Sequence, residues 1–142
     1  MKKFLYYDPK LLLYGFSILF FASYGQTFFI SLFNTEIRIF YGLSDGEFGL
    51  VYAIATLSSS FILIGFAKLI DHLDLRFYSF IITLGFLLAC LGMVFLINNI
   101  LYLFLIIFML RFFGQGAMDH AGELAWPDIL EMIREKLYQL LH

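Results

Sequence analysis

From Phe77 to Ile97 the chain carries no charged side chain. Wound as an α-helix, such a run is roughly 30 Å long, the thickness of the hydrocarbon core of a bilayer. Three more stretches read the same way: residues 11–33, residues 48–67, and residues 100–118 with Arg111 as their only charge. Hydrophobic residues make up 62% of the 142-residue chain and charged residues 14%, against about 45–50% and about 25% in soluble domains. A soluble globule of this length could not bury so much apolar surface. The expected fold is an all-α membrane protein with four transmembrane helices over residues 1–118. A C-terminal amphipathic helix over residues 119–142 follows.

The links set the expected orientation. Lys2, Lys3, Lys10, Lys68, Arg76, Arg134 and Lys136 fall on one side of the four spans and only Arg38 on the other. Basic residues stay cytoplasmic, so both termini are expected there, in an integral protein of a bacterial inner membrane. Met1-Lys2-Lys3 opens like a signal peptide, but Asp8, Pro9 and Lys10 interrupt it and the apolar run beyond is too long. It is read as a retained first span. Ser44 or Asp45 is placed to cap the second helix, with Glu47 near its N-terminus. Asn98-Asn99 makes a turn so short that spans three and four must form an antiparallel hairpin.

The sequence argues against several function classes. A net charge of −2 argues against nucleic acid as a partner. Cys90 is the only cysteine, so it forms neither an intrachain disulfide nor a metal site, and it reads as a small packing residue. No paired carboxylates, Cys/His cluster or nucleophile–base spacing marks an enzyme, and no metal or cofactor is expected.

Arg111 is the residue that asks for an explanation. Counted from Asn99 it lies roughly 18 Å into the bilayer, where an arginine costs about 2.5–3.5 kcal/mol even on lenient scales. No Asp or Glu occurs in any of the four spans to pair with it. Its guanidinium must face protein, water or an anion, unless it snorkels to the cytoplasmic interface. Gln115 lies one turn on, on the same face, and Gln26 and Tyr24 are mid-span in span one. Tyr52, Thr56, Ser59 and Ser60 form one polar stripe on span two. Such stripes either meet around a hydrated cavity or hydrogen-bond between helices. Gly49 with Ala53, and Gly85 with Ala89, have the small-xxx-small spacing of helix-packing faces.

Three stretches carry a family resemblance. Ala67-Lys-Leu-Ile-Asp71-His-Leu-Asp-Leu-Arg76 resembles the Gly-x-x-x-Asp-Arg-x-Gly-Arg-Arg loop between spans two and three of the major facilitator superfamily. Asp71 and Arg76 match, while Ala67, His72, Asp74 and Leu75 depart from it. Arg111-Phe-Phe-Gly-Gln-Gly-Ala resembles that family's fourth-span signature, and Ser23-Tyr-Gly-Gln-Thr-Phe-Phe-Ile is similar to its first span. Tyr41-Gly-Leu-Ser, with Gly49 beyond it, resembles the approach to span two. The resemblance covers residues 11–118. It implies transport of small solutes by alternating access, with Asp71 and Arg76 in a cytoplasmic gate. It also puts Arg111 in an anion pathway, with Gln115, Gln26 and Tyr24 as candidate neighbours.

Past Met118 the resemblance stops, and spans five to twelve of such a transporter have no counterpart in the sequence. Trp126, Ile129, Ile133, Leu137 and Leu140 instead form the apolar stripe of a helix whose other face is charged. That stripe suits the membrane interface, a partner chain or second copy, or sequence of foreign origin; its acidic face favours protein over anionic lipid. The expectation is a half-type member of the family in the lipid bilayer, moving a small organic anion when assembled as a homo-oligomer or with other membrane subunits. The alternative is a non-transporting structural subunit of a larger membrane complex.

Overall fold

A computed structural model describes residues 9–68 and 75–122, together with Glu131, Arg134, Tyr138 and Gln139. The described residues are almost wholly helical and contain no strand. Asp71 and the stripe residues Trp126, Ile129, Ile133, Leu137 and Leu140 lie outside them.

The chain opens with α1 (Pro9–Ala22), a 3₁₀ turn (Ser23–Gly25), α2 (Thr27–Leu32) and α3 (Asn34–Tyr41). It continues through α4 (Asp45–Ala67), α5 (Leu75–Val94) and α6 (Ile100–Met109) into a π-helical segment, Leu110–Met118. Three helices are long and apolar enough to cross a membrane: Asp45–Phe66, Arg76–Val94 and Ile100–Gly122. An integral membrane protein follows from them. The third continues four residues past Met118, with Ala121 fully buried.

The unbroken first helix expected over residues 11–33 is not what forms. α1 ends at Ala22, and Gln26 is extended, with φ −75° and ψ 153°, before α2 begins. The cause lies across the bundle. A Cβ on Gly25 would sit 2.6 Å from the Leu110 carbonyl oxygen and 2.7 Å from Gly114 Cα. Two backbones therefore touch at this crossing, which only paired glycines allow. At the contact the first segment gives up its α-helix and the last helix runs as a π segment.

Local chemistry explains the other boundaries. Gly42 takes a left-handed conformation (φ 65°) and ends α3, while the Leu43 N–H donates back to the Arg38 carbonyl at 2.9 Å. Ser44 then caps α4 in a reciprocal box. The Glu47 N–H donates to Ser44 Oγ at 3.3 Å, and the Ser44 N–H donates to Glu47 Oε2 at 2.8 Å. Asn99 Oδ1 accepts from the Leu101 N–H at 2.8 Å and starts α6, as the tight α5–α6 hairpin requires. At the α3 end, burial, with Tyr102 nearby, pushes the Tyr41 phenol up from its ordinary value.

The last crossing helix is the hub. Half of its residues (50%) are buried, against 28% along α5 and 17% along α4. α1, the 3₁₀ turn, α4 and α5 all pack on the π segment. Tyr78, Ile82, Ala89, Ala117 and Ala121, all 0% exposed, form the core beneath it. Only one of the two expected small-residue faces is used. A Cβ on Gly85 would strike the Phe113 ring at 2.5 Å, and Ala89 is fully buried. Gly49 has nothing within 4 Å and Ala53 is exposed, because α4 turns Ala55 and Ser59 inward instead.

Candidate functional site

Arg111 enters the bundle from the first turn of the π segment and is 9% exposed. Its Nη1 donates to Thr27 Oγ1 at 2.9 Å, and the Tyr52 hydroxyl donates to the same oxygen at 2.9 Å. The guanidinium carbon lies 5.4 Å from the centroid of the Tyr52 ring, within reach of a cation–π contact. The Arg111 head group is held between Thr27 of α2 and Tyr52 of α4. Among the described residues no carboxylate pairs with it. A hydrogen bond from a charged donor stabilises by about 1.5–3 kcal/mol and the ring contact by about 0.5–2 kcal/mol. Together they roughly offset the insertion cost. Neither contact uses Arg111 Nε, which is buried without a hydrogen-bond partner.

Two more orphaned atoms sit beside it. Gln115 Oε1 and Thr56 Oγ1 are also buried without partners. All three residues line one cleft of about 210 Å³, together with Ser59, Ser60, Leu63 and Gly116. The stripe read on span two therefore faces the Arg111–Gln115 face of span four. The two serine hydroxyls turn back on their own helix: Ser59 Oγ donates to the Thr56 carbonyl at 2.8 Å and Ser60 Oγ to the same oxygen at 3.0 Å. The buried polar atoms left without a partner in this cleft are the Arg111 Nε–H, the Gln115 amide oxygen and the Thr56 hydroxyl. That set suits a small molecule with an anionic acceptor and a nearby hydroxyl or water.

The remaining candidates separate. Gln26 Nε2 donates to Asp119 Oδ2 at 2.7 Å and ties the break in the first segment to the end of the last helix. Tyr24 does not line the cleft. It lies on the other side of the break, in a pocket of about 610 Å³ with Phe29, Phe33 and Leu110. Arg76 stands exposed in the first turn of α5. Thr27, the hydroxyl that holds Arg111, escaped sequence reading. Its spacing of one residue from Gln26 carries no periodic signal, and the extended backbone at Gln26 is what turns it toward span four. Among the described residues no three His, Cys, Asp or Glu side chains gather as a metal ion would require.

Comparison with protein-family models, curated proteins and solved structures finds no match. The site's own chemistry carries the functional reading.

Proposed function

We propose that the chain is a membrane transporter protein related to the major facilitator superfamily, and that its Arg111 cleft takes a small organic anion. The observation that carries this reading is the buried guanidinium. It has no carboxylate among the described residues and an unpartnered Nε, beside the orphaned Gln115 and Thr56 oxygens in one cleft. A fixed positive charge in a medium of low dielectric constant favours an anion strongly. The cleft holds about seven waters at roughly 30 Å³ each, or a carboxylate of similar size.

In this reading the first segment is a fourth crossing and both termini are cytoplasmic. Tyr14 Oη and Ser79 Oγ share a hydrogen bond of 2.6 Å near the start of α5. Tyr24 and Phe33 line a pocket with Met93 and Val94 near its end. The segment follows α5 over Ser79 to Val94, roughly 22 Å at 1.5 Å per residue, in spite of its break. Discontinuous helices of this kind line substrate sites in many secondary transporters. Thr27 and Ser60 are polar yet exposed on the bundle surface, where hydrocarbon suits them poorly. Assembly with a second copy or another membrane subunit covers them in this reading, and closes the cleft.

The test is uptake of a panel of radiolabelled mono-, di- and hydroxycarboxylates by membrane vesicles containing the full chain. Uptake is expected to exceed that of the Arg111→Lys variant, which keeps the charge but loses the planar fork that grips a carboxylate. Equal uptake by both proteins, or none by either, would sink the transport reading.

A further inference from the structure

A second recess has the opposite character. The pocket of about 610 Å³ lies among α2, α3 and the last turns of α5, and four aromatic side chains, Tyr24, Phe29, Phe33 and Phe40, stand in its otherwise mainly aliphatic wall. Tyr24 and Phe29 meet edge to face at 4.8 Å, and Phe29 and Phe33 at 5.5 Å. Such pairs turn ring faces in several directions. Its volume falls within the range of about 300–1,000 Å³ found for sites that bind drug-sized molecules.

One group on this wall is charged. Glu36 is solvent-exposed and lines the pocket, and among the described residues no cation pairs with it. The nearest arginine in sequence, Arg38, is engaged elsewhere: its Nη1 is ion-paired with Asp45 and its Nε donates to the Leu43 carbonyl at 3.4 Å. We propose that this pocket binds a hydrophobic organic cation, with its charge shared between Glu36 and the aromatic faces.

Each part of the wall argues for that occupant. Ring faces attract a cation by their quadrupole and reject an anion. A carboxylate on the wall adds a direct attraction for a positive guest. A plain acyl chain would fill the apolar volume and leave Glu36 unanswered. A zwitterionic lipid head group would bring a phosphate beside Glu36, and Arg38, two residues on, is already held by Asp45. A cation with spread charge and an apolar body meets both demands. The site is independent of the Arg111 cleft, since the two share no lining residue.

Cys90, the only cysteine in the chain, lines the pocket and reports on it directly. Tetraphenylphosphonium and tetraphenylborate have nearly the same shape and opposite charge, so the pair separates charge from apolar fit. With the full chain in neutral-lipid nanodiscs, tetraphenylphosphonium is expected to bind saturably and to slow labelling of Cys90 by N-phenylmaleimide. Tetraphenylborate should do neither. Glu36→Gln, at an exposed position that should fold normally, should weaken the cation about tenfold. Phe33→Leu, which keeps an apolar side chain, should weaken it several-fold. Equal competition by both ions, unchanged affinity in Glu36→Gln, or saturable binding that leaves Cys90 labelling unaltered would each overturn the assignment.

Discussion

Leu110 and Arg111 are consecutive residues of one π segment, yet they line two different recesses. Leu110 belongs to the aromatic pocket with Glu36, and Arg111 to the polar cleft with Thr56 and Gln115. The same division runs through the first segment, where Tyr24 faces the pocket and Thr27 holds Arg111. Gly25 lies between those two residues, in backbone contact with Gly114. The glycine crossing thus separates the polar cleft that holds Arg111 from the pocket that holds Glu36. By contrast α5, which has no such break, supplies mostly core and lipid-facing residues. The irregular segments bring Thr27 and Arg111 together, while the regular α4 supplies Thr56 and Ser59 to the same cleft.

The largest effect is expected from removing the partition. A Cβ at Gly114 would sit 2.7 Å from Phe86 Cε2 and 2.8 Å from Gly25 Cα. Since one neighbour is backbone, Gly114→Leu cannot be absorbed by a side-chain movement. It should exceed the about 1–3 kcal/mol of ordinary overpacking and abolish both binding activities. Size-exclusion chromatography and thermal unfolding in mild detergent would show it. Retention of both activities would mean that the crossing does not divide them.

The next variants separate the two sites. Arg111→Leu removes an insertion cost of about 2.5–3.5 kcal/mol along with a hydrogen bond and ring contact of comparable size. Stability should therefore change by only about 1 kcal/mol, while carboxylate binding disappears and tetraphenylphosphonium binding persists. Loss of the cation together with the anion would merge the two recesses into one site. Thr27→Val preserves shape but deletes the oxygen that accepts from both Arg111 and Tyr52. Leaving those donors unanswered should cost about 1–3 kcal/mol in unfolding measurements and weaken anion binding alone. The smallest effect belongs to Ser44→Ala, which removes the α4 cap. It should cost about 1 kcal/mol and leave both ligands bound as before, so any change in ligand affinity would tie the cap to the sites.

Much of this arrangement was legible in the sequence, and the exceptions share one physical origin. Long apolar runs marked the three long helices, Ser44 and Glu47 marked the start of α4, and Asn98-Asn99 marked the hairpin. Helical spacing placed Gln115 beside Arg111 and put Thr56, Ser59 and Ser60 on one stripe, and the structure joins those two faces around a cleft. Neither the break at Gln26 nor the π segment could be read locally, because both arise where two distant backbones meet. Gly25 and Gly114 were the available signal, but nothing in a single helix says which glycines face each other. Gly49 and Ala53 illustrate the converse: they have packing spacing and no neighbour. Tyr24 and Gln26, two residues apart, were read as one group, and the extended backbone at Gln26 sends them to different places.

The most direct test of the central claim is calorimetric titration of small carboxylates into the full chain in neutral-lipid nanodiscs, with Arg111→Lys measured alongside. The account predicts saturable binding by the unaltered chain. In Arg111→Lys, carboxylate affinity should fall about tenfold or more, while tetraphenylphosphonium binding in the same preparation is unchanged. Carboxylate binding that is absent from the unaltered chain, or equally strong in both proteins, would contradict it.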